Sequence, residues 1–417
     1  MYDIIINRLS RNKSEVYSDY IKLCIPEIIT MLIISFVKVF DKVIANLIGV
    51  EVITGISMAA GYSEVMLLIG VAVKTVALVE YTKTKDLKLL GTMYKFSFVV
   101  QIFIVIGTIM VGNLLTYNSG LSLEAKSISS ISLLAYGVYY ILVDYNKFIR
   151  LILIVDKRTV LISKITTFST VFNVLFDLVV YIIGLQWYWL VLDNIITELI
   201  CILITRFILK DKKMLYGKIN TIYKYKNSIF STIIDSGARR VLYVLMPFIL
   251  SWLGDVRYAR YIIITSIIDQ LINPTFSNVA FTGILLNDNY DKNDVRGVIC
   301  KFSIKYALFC SLLSLPLSLL FKDGNISYLL LIILTGVMTL VNSIQSYYTG
   351  LNRYNNLYNS ISKAQIVCTI SSLLWLAFSV LVIGNEYVAY LVWIIRNIIN
   401  ITLLKMYYKR FAENNCL

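Results

Sequence analysis

Twelve apolar stretches, each about as long as a bilayer is thick, follow one another along this chain with short polar connections between them. They run over 20–48, 52–80, 91–115, 127–153, 160–183, 187–209, 229–253, 257–286, 298–321, 326–350, 360–383 and 387–408. A run of more than about 18 apolar residues reads as a membrane-spanning helix. The pattern therefore predicts an all-α polytopic membrane protein with twelve transmembrane helices. Hydrophobic residues make up 58% of the 417, and mean hydropathy is +0.75, more than a soluble domain of this size needs. Pro26, Pro247, Pro274 and Pro316 fall inside four of the segments and mark expected bends, because proline leaves a helix carbonyl without its donor.

The opening residues, MYDIIINRLSRNKSEVYSDY, are too polar and acidic for a cleaved signal peptide, so the first apolar segment is expected to be retained. The formal charge is +14. With the N-terminus inside, the inner connections hold Lys83, Lys85, Lys88, Lys157, Arg158, Lys210, Lys212, Lys213, Lys218, Lys224, Lys226, Lys292 and Arg296. The outer ones hold little beyond Lys126, Arg257, Arg260 and Lys322. This asymmetry predicts cytoplasmic termini in a cell (plasma) membrane, taken as bacterial, and accounts for the basic charge without nucleic acid. The expected partners are the bilayer and a small-molecule or lipid-linked substrate, with the chain a monomer.

The six cysteines lack paired spacing and mostly lie in apolar segments, where they read as small hydrophobes. There is no histidine, which removes the commonest zinc ligand and general base. Any proton carried across this membrane must ride on Asp or Glu. No cofactor or metal is expected beyond a coupling ion, H⁺ or Na⁺.

The fifth segment carries the sharpest local signal. FSTVFNVLFDLVVYIIG, 168–184, could cross a bilayer yet contains Asn173 and Asp177, four residues apart and so on one helix face. An ionisable group inside a membrane helix is costly, and function is the default reading.

A basic linker at 209–228 lies near the midpoint and divides an N-terminal lobe, 1–208, from a C-terminal lobe, 229–417. The lobes resemble each other weakly. A shift of 205 places Gly49 on Gly254 and Glu64 on Asp269, each acid about 18 Å from the outer surface. Shifts of 200 and 199 align Gly184 with Gly384 and Lys164 with Lys363. Six helices followed by six of the same topology form a parallel repeat, the plan of transporters that rock two halves about a central cavity.

Three stretches bear a family resemblance. The first helix and its exit read PEIITMLIISFVKVFDKVIANLIGVEVITGISMAAGY. The fifth reads TTFSTVFNVLFDLVVYIIG. The second half opens its repeat with FILSWLGDVRYARYIIITSIIDQLINPTFSN. Together they resemble the multidrug and toxin extrusion (MATE) family of the multidrug/oligosaccharidyl-lipid/polysaccharide (MOP) flippase superfamily. The resemblance spans nearly the whole chain by topology and is close in helices 1, 2, 5, 7 and 8. In the extrusion branch, acidic residues of helices 1 and 5 are implied to bind the coupling H⁺ or Na⁺; the matching positions are Asp41, Asn173 and Asp177.

The residues support such a site independently. Counted inward from the outer helix ends, Asp41 lies about 12 Å deep and Asp177 and Asp193 about 10 Å deep. Three carboxylates at one depth could share a pocket, and Asn194, Thr197 and Glu198 extend the polar face of helix 6. Such a set could exchange a proton near neutral pH, or bind a hard cation through its oxygens. Lys38 and Lys42 depart from the extrusion pattern. Either could occupy the cation's place beside Asp41, or simply form a structural ion pair with it.

Other buried charges are candidates for a substrate cavity. Arg239 reads as paired with Asp235 one turn earlier, leaving Arg240 without a local partner and facing a cavity or an anion. Arg396 reads as similarly isolated. Glu64 and Asp269 could line the cavity, while Lys74 could snorkel to the interface. The pairs Tyr139–Tyr140, Trp187–Tyr188 and Tyr347–Tyr348 read first as an interfacial aromatic belt.

Two functions fit. One is a cation-coupled secondary exporter of an amphipathic small molecule or peptide-like substrate, working by alternating access. The other is a flippase for a lipid-linked oligosaccharide or another anionic lipid, favoured by Lys38, Lys42, Arg240 and Arg396. A net acidic lumen favours the first and a net basic lumen the second. A membrane enzyme is disfavoured by the missing histidine and the short outer loops, and no phosphate-binding glycine loop supports direct use of ATP.

Overall fold

Apolar side chains repeating around full helical turns, with few Gly or Pro to interrupt them, leave helix as the way to satisfy the backbone in hydrocarbon. The computed structural model describes residues 2–156, 158–210, 217, 219–321, 328–355 and 357–415, and among these there is no strand. The helices are α1 Tyr2–Ile48, α2 Val50–Ser63, α3 Leu68–Thr84, α4 Leu87–Tyr117, α5 Leu123–Val155, α6 Thr159–Ile183, α7 Trp189–Ile208 and α8 Lys226–Ser251. They continue with α9 Asp255–Ile272, α10 Asn278–Asn287, α11 Lys292–Leu319, α12 Tyr328–Tyr354, α13 Tyr358–Ala377, α14 Glu386–Ala389 and α15 Val392–Asn415. Among the described residues, seven stretches are long and apolar enough to cross a membrane.

Every expected segment falls on helix, but the expected count of twelve helices needs correction, because some segments are divided. The second segment is split into α2 and α3 by a tight 3₁₀ turn at Glu64–Leu67, and the eighth into α9 and α10 by another at Asn273–Ser277. Pro274 explains the second break, since it has no N–H to give. The freed backbone is satisfied from α11, where Tyr306 Oη donates to the Leu271 carbonyl at 2.8 Å. No proline marks the first break. There Arg240 of α8 donates to the Glu64 carbonyl, supplying from a side chain what the interrupted ladder does not.

Helix ends follow local chemistry. Asp86, Ser122 and Asp291 cap α4, α5 and α11, each accepting from a first-turn amide. Gly184 ends α6 at φ +71° and Gly384 ends the wider π-helical stretch Phe378–Ile383 after α13 at φ +65°, so this aligned pair shares one left-handed conformation. Gly49, by contrast, is extended at φ 176° while Gly254 is at φ +82°.

The chain forms two compact units. One comprises 1–43, 260–379 and 385–417; the other comprises 44–259 and 380–384. Compactness thus groups the chain differently from a cut at 209–228. The described part of that linker is not free chain either, because Ile222 is buried and Tyr225 Oη donates to Glu80 Oε2 at 3.2 Å.

In the unit built on 44–259, Leu90, Met93, Phe148, Ile149 and Ile152 form the buried centre. Small residues bring its helices close: a Cβ on Gly55 would lie 2.7 Å from the Ala125 carbonyl of α5, and one on Gly61 would lie 2.4 Å from Pro247 of α8. In the other unit, Tyr20, Leu285, Ile299, Tyr347 and Leu404 are the centre. Large apolar side chains of α4, among them Phe103, Met110 and Leu114, point outward, as a hydrocarbon solvent permits.

Candidate functional site

On α6 the polar and apolar faces separate cleanly. Leu175, Val179 and Ile182 are exposed, whereas Asn173 and Asp177 are buried, Asp177 to 2% exposure. The 3.6-residue period turns both polar groups away from that exposed apolar face. Asn173 Nδ2 donates to Asp193 Oδ2, joining α6 to α7. Asp193 is fully buried, and its Oδ1 accepts from Asn194 Nδ2 at 2.7 Å. One turn further along α7, Thr197 is buried, and its hydroxyl has no hydrogen-bond partner among the described residues.

Glu198 continues the polar line. Its Oε1 accepts from Asn146 Nδ2 of α5 at 2.5 Å, and Thr205 Oγ1 reaches Asn146 Oδ1 at 3.5 Å. Tyr139 of α5 lies within electrostatic reach of both Glu198 and Asp193. The belt reading of Tyr139–Tyr140 is therefore corrected: both lie mid-helix, half-buried, against the polar interior. Tyr347 and Tyr348 are likewise buried, with Tyr347 Oη donating to the Lys292 carbonyl. Trp187 and Tyr188 do occupy the turn before α7.

This gathering of amide, hydroxyl and carboxylate oxygens suits a proton or a hard monovalent cation. Among the described residues no group of three or more His, Cys, Asp or Glu is arranged to hold a metal ion. Cation binding here would use amide and hydroxyl oxygens beside the carboxylates.

Asp41 belongs to the other unit, with Lys42 within its electrostatic reach and Lys38 exposed. The structure thus brings Asn173, Asp193, Thr197 and Glu198 onto the α6–α7 interior, with Asp177 one turn from Asn173. Asp41 falls outside that unit.

Two expected isolated arginines have partners. Arg240 Nη1 lies 3.1 Å from Glu64 Oε2, besides its bond to the Glu64 carbonyl. Arg396 Nη2 donates to Gln365 Oε1 of α13 at 2.9 Å, and its guanidinium lies 5.6 Å from the centre of the Trp393 ring. Asp269 lies half-buried on α9, four residues before the Asn273–Ser277 turn. The Asp235 and Arg239 side chains lie outside the described residues. Of the cysteines, Cys24, Cys201, Cys310 and Cys368 are buried, Cys300 is half-buried, and Cys416 lies outside the described residues.

Asp144 on α5 went unnoticed in the sequence. It is buried, accepts from Ser97 Oγ at 3.0 Å, and fits only because residue 70 is glycine. Lys74 and Lys147 lie within its electrostatic reach, which gives Lys74 a role beyond snorkelling. The spacing of Asp144, Lys147 and Arg150 along one helix face was the signal available.

Solved structures decide the fold. A multidrug resistance MATE family transporter of the MOP superfamily, in an inward-facing conformation, superposes at TM-score 0.72 with 12% identity, covering 91% of this chain and 96% of that one. The chain has the fold of the MOP-superfamily transporters. The lipid II flippase MurJ, inward closed, shares this MOP fold at TM-score 0.70 with 14% identity over 92% of this chain and 87% of its own. A MOP superfamily transporter from Pyrococcus furiosus does so at TM-score 0.65 with 12% identity over 94% and 95%. No family model matches the sequence of this MOP-fold chain, and no curated protein matches it.

Proposed function

We propose that this chain is a secondary active transporter that exports an amphipathic small molecule or peptide-like substrate from the cell by alternating access, driven by H⁺ or Na⁺. The observation that carries the reading is the buried Asn173–Asp193 bond, with Asp177 and Thr197 each one turn away. Buried carboxylates in a membrane helix persist where they bind something. Cation entry would favour one arrangement of two six-helix lobes and substrate the other, so the two ligands compete through one equilibrium. Twelve crossings, cytoplasmic termini, a bacterial cell membrane and a transport rather than an enzymatic role complete the proposal. Transport of a fluorescent organic cation into proteoliposomes, under separately imposed H⁺ and Na⁺ gradients, tests it. Uptake that follows neither gradient contradicts it.

The second reading is a flippase for a lipid-linked oligosaccharide or other anionic lipid. It is favoured by Arg396, a membrane-helix cation whose guanidinium lies against Gln365 and the Trp393 ring. A cationic group of this kind suits a diphosphate. Arg240, by contrast, has Glu64 beside it, which weakens the case from that residue. Translocation of a fluorescent lipid diphosphate in the same vesicles, without dye transport, would favour this reading over the exporter.

A further inference from the structure

A groove of about 550 Å³ runs along α10 and α12, within the unit built on 260–379 and not in the unit that holds α6 and α7. Phe276, Val279 and Ala280 line one stretch of it, Gly283 and Gly350 another, and Asn287, Arg353 and Tyr354 lie toward one end. The two glycines shape it differently. A Cβ on Gly350 would lie 2.6 Å from the Val279 carbonyl, so Gly350 lets the two helices touch. A Cβ on Gly283 would meet nothing within 4 Å, so Gly283 leaves the groove open.

The polarity of the groove is ordered. Its Phe276–Val279–Ala280 end is apolar, whereas Asn287 ends α10 and Arg353 sits in the last turn of α12. Arg353 is exposed, and among the described residues it has no carboxylate or hydrogen-bond partner. A cation at a helix C-terminus is favourable in itself, but it leaves the guanidinium's donors free for an anion. In a membrane-spanning chain, a groove with an apolar end and an exposed cation and an amide at the other fits a phospholipid with net negative charge.

We propose that this groove binds an anionic phospholipid, its acyl chain against Phe276, Val279 and Gly283 and its phosphate on Arg353 and Asn287. This site is separate from the transport reading and stands or falls without it. The test is retention of lipid by the full-length protein purified from vesicles of phosphatidylglycerol and phosphatidylcholine, read by native mass spectrometry. The wild type is expected to retain phosphatidylglycerol selectively. Arg353→Gln is expected to bind it about tenfold more weakly, with Arg353→Lys restoring most of the preference. Gly283→Trp is expected to fill the groove and weaken binding of both lipids. Equal retention of the two lipids by the wild type would overturn the proposal. So would wild-type selectivity in both Arg353→Gln and Gly283→Trp, or capture of a peptide instead of lipid by the same groove. Circular dichroism of each variant separates loss of the site from loss of the fold.

Discussion

Asn173 on α6 donates its amide to the carboxylate of Asp193 on α7, and both side chains are buried. The bond ties the two helices together at the candidate site. Replacing Asn173 with Leu leaves a buried carboxylate short of a donor, which costs about 1–3 kcal/mol. Asn173→Leu should therefore lower the thermal midpoint of the purified protein. Its effect should also be non-additive with Asp193→Leu, since each change removes the same bond. Strict additivity of the two variants would show that the bond contributes nothing in the membrane protein.

Gly70 and Asp144 make a second test. A methyl on residue 70 would fall 2.0 Å from Asp144 Oδ1. Gly70→Ala is expected to destabilise by about 1–3 kcal/mol, as overpacking does. In an Asp144→Ala background the same change should become neutral or stabilising, because the obstruction is gone and alanine favours helix by about 1 kcal/mol. A thermal-shift series on the four proteins checks it. An equal loss in both backgrounds would mean that Asp144 does not occupy the space beside Gly70.

Ahead of the first apolar segment, Asp19 accepts from Lys22 at 3.0 Å and from Tyr290 Oη at 2.8 Å. The Lys22 bond first, and then the Tyr290 bond, hold its carboxyl below the ordinary 3.8. A folded value below the unfolded one stabilises above the unfolded value and is lost as pH falls through the folded value. Asp19 should therefore still be ionised below pH 3.8. Tyr290→Phe should move its titration upward, as read by carbon-13 NMR of the labelled carboxyl. An unmoved titration would rule out the Tyr290 bond in solution.

Helix positions and the polar face of α6 were legible because apolar length and four-residue spacing are local properties of the chain. The partners of Arg240 and Arg396 were not, since Glu64 lies 176 residues from Arg240 and Gln365 lies 31 from Arg396. The break after Ser63 was equally hidden. Pro274 announces its own break, whereas the one at Glu64–Leu67 carries no proline and is served by a side chain from α8. Asp144 escaped for a different reason. Its segment is apolar enough overall to mask a charged stripe, and the glycine that admits it lies on another helix. The compact units are illegible in sequence for a related reason: 1–43 groups with 260–379 through contacts that no local pattern encodes.

The most direct measurement of the central claim is gradient-driven uptake into proteoliposomes by wild type and Asp177→Asn, under H⁺ and Na⁺ gradients applied separately. The change keeps the side-chain shape and removes the titratable charge. The proposed coupling site predicts wild-type uptake that follows one gradient and Asp177→Asn uptake reduced to background, with substrate binding retained. Undiminished, gradient-dependent uptake by Asp177→Asn would contradict it.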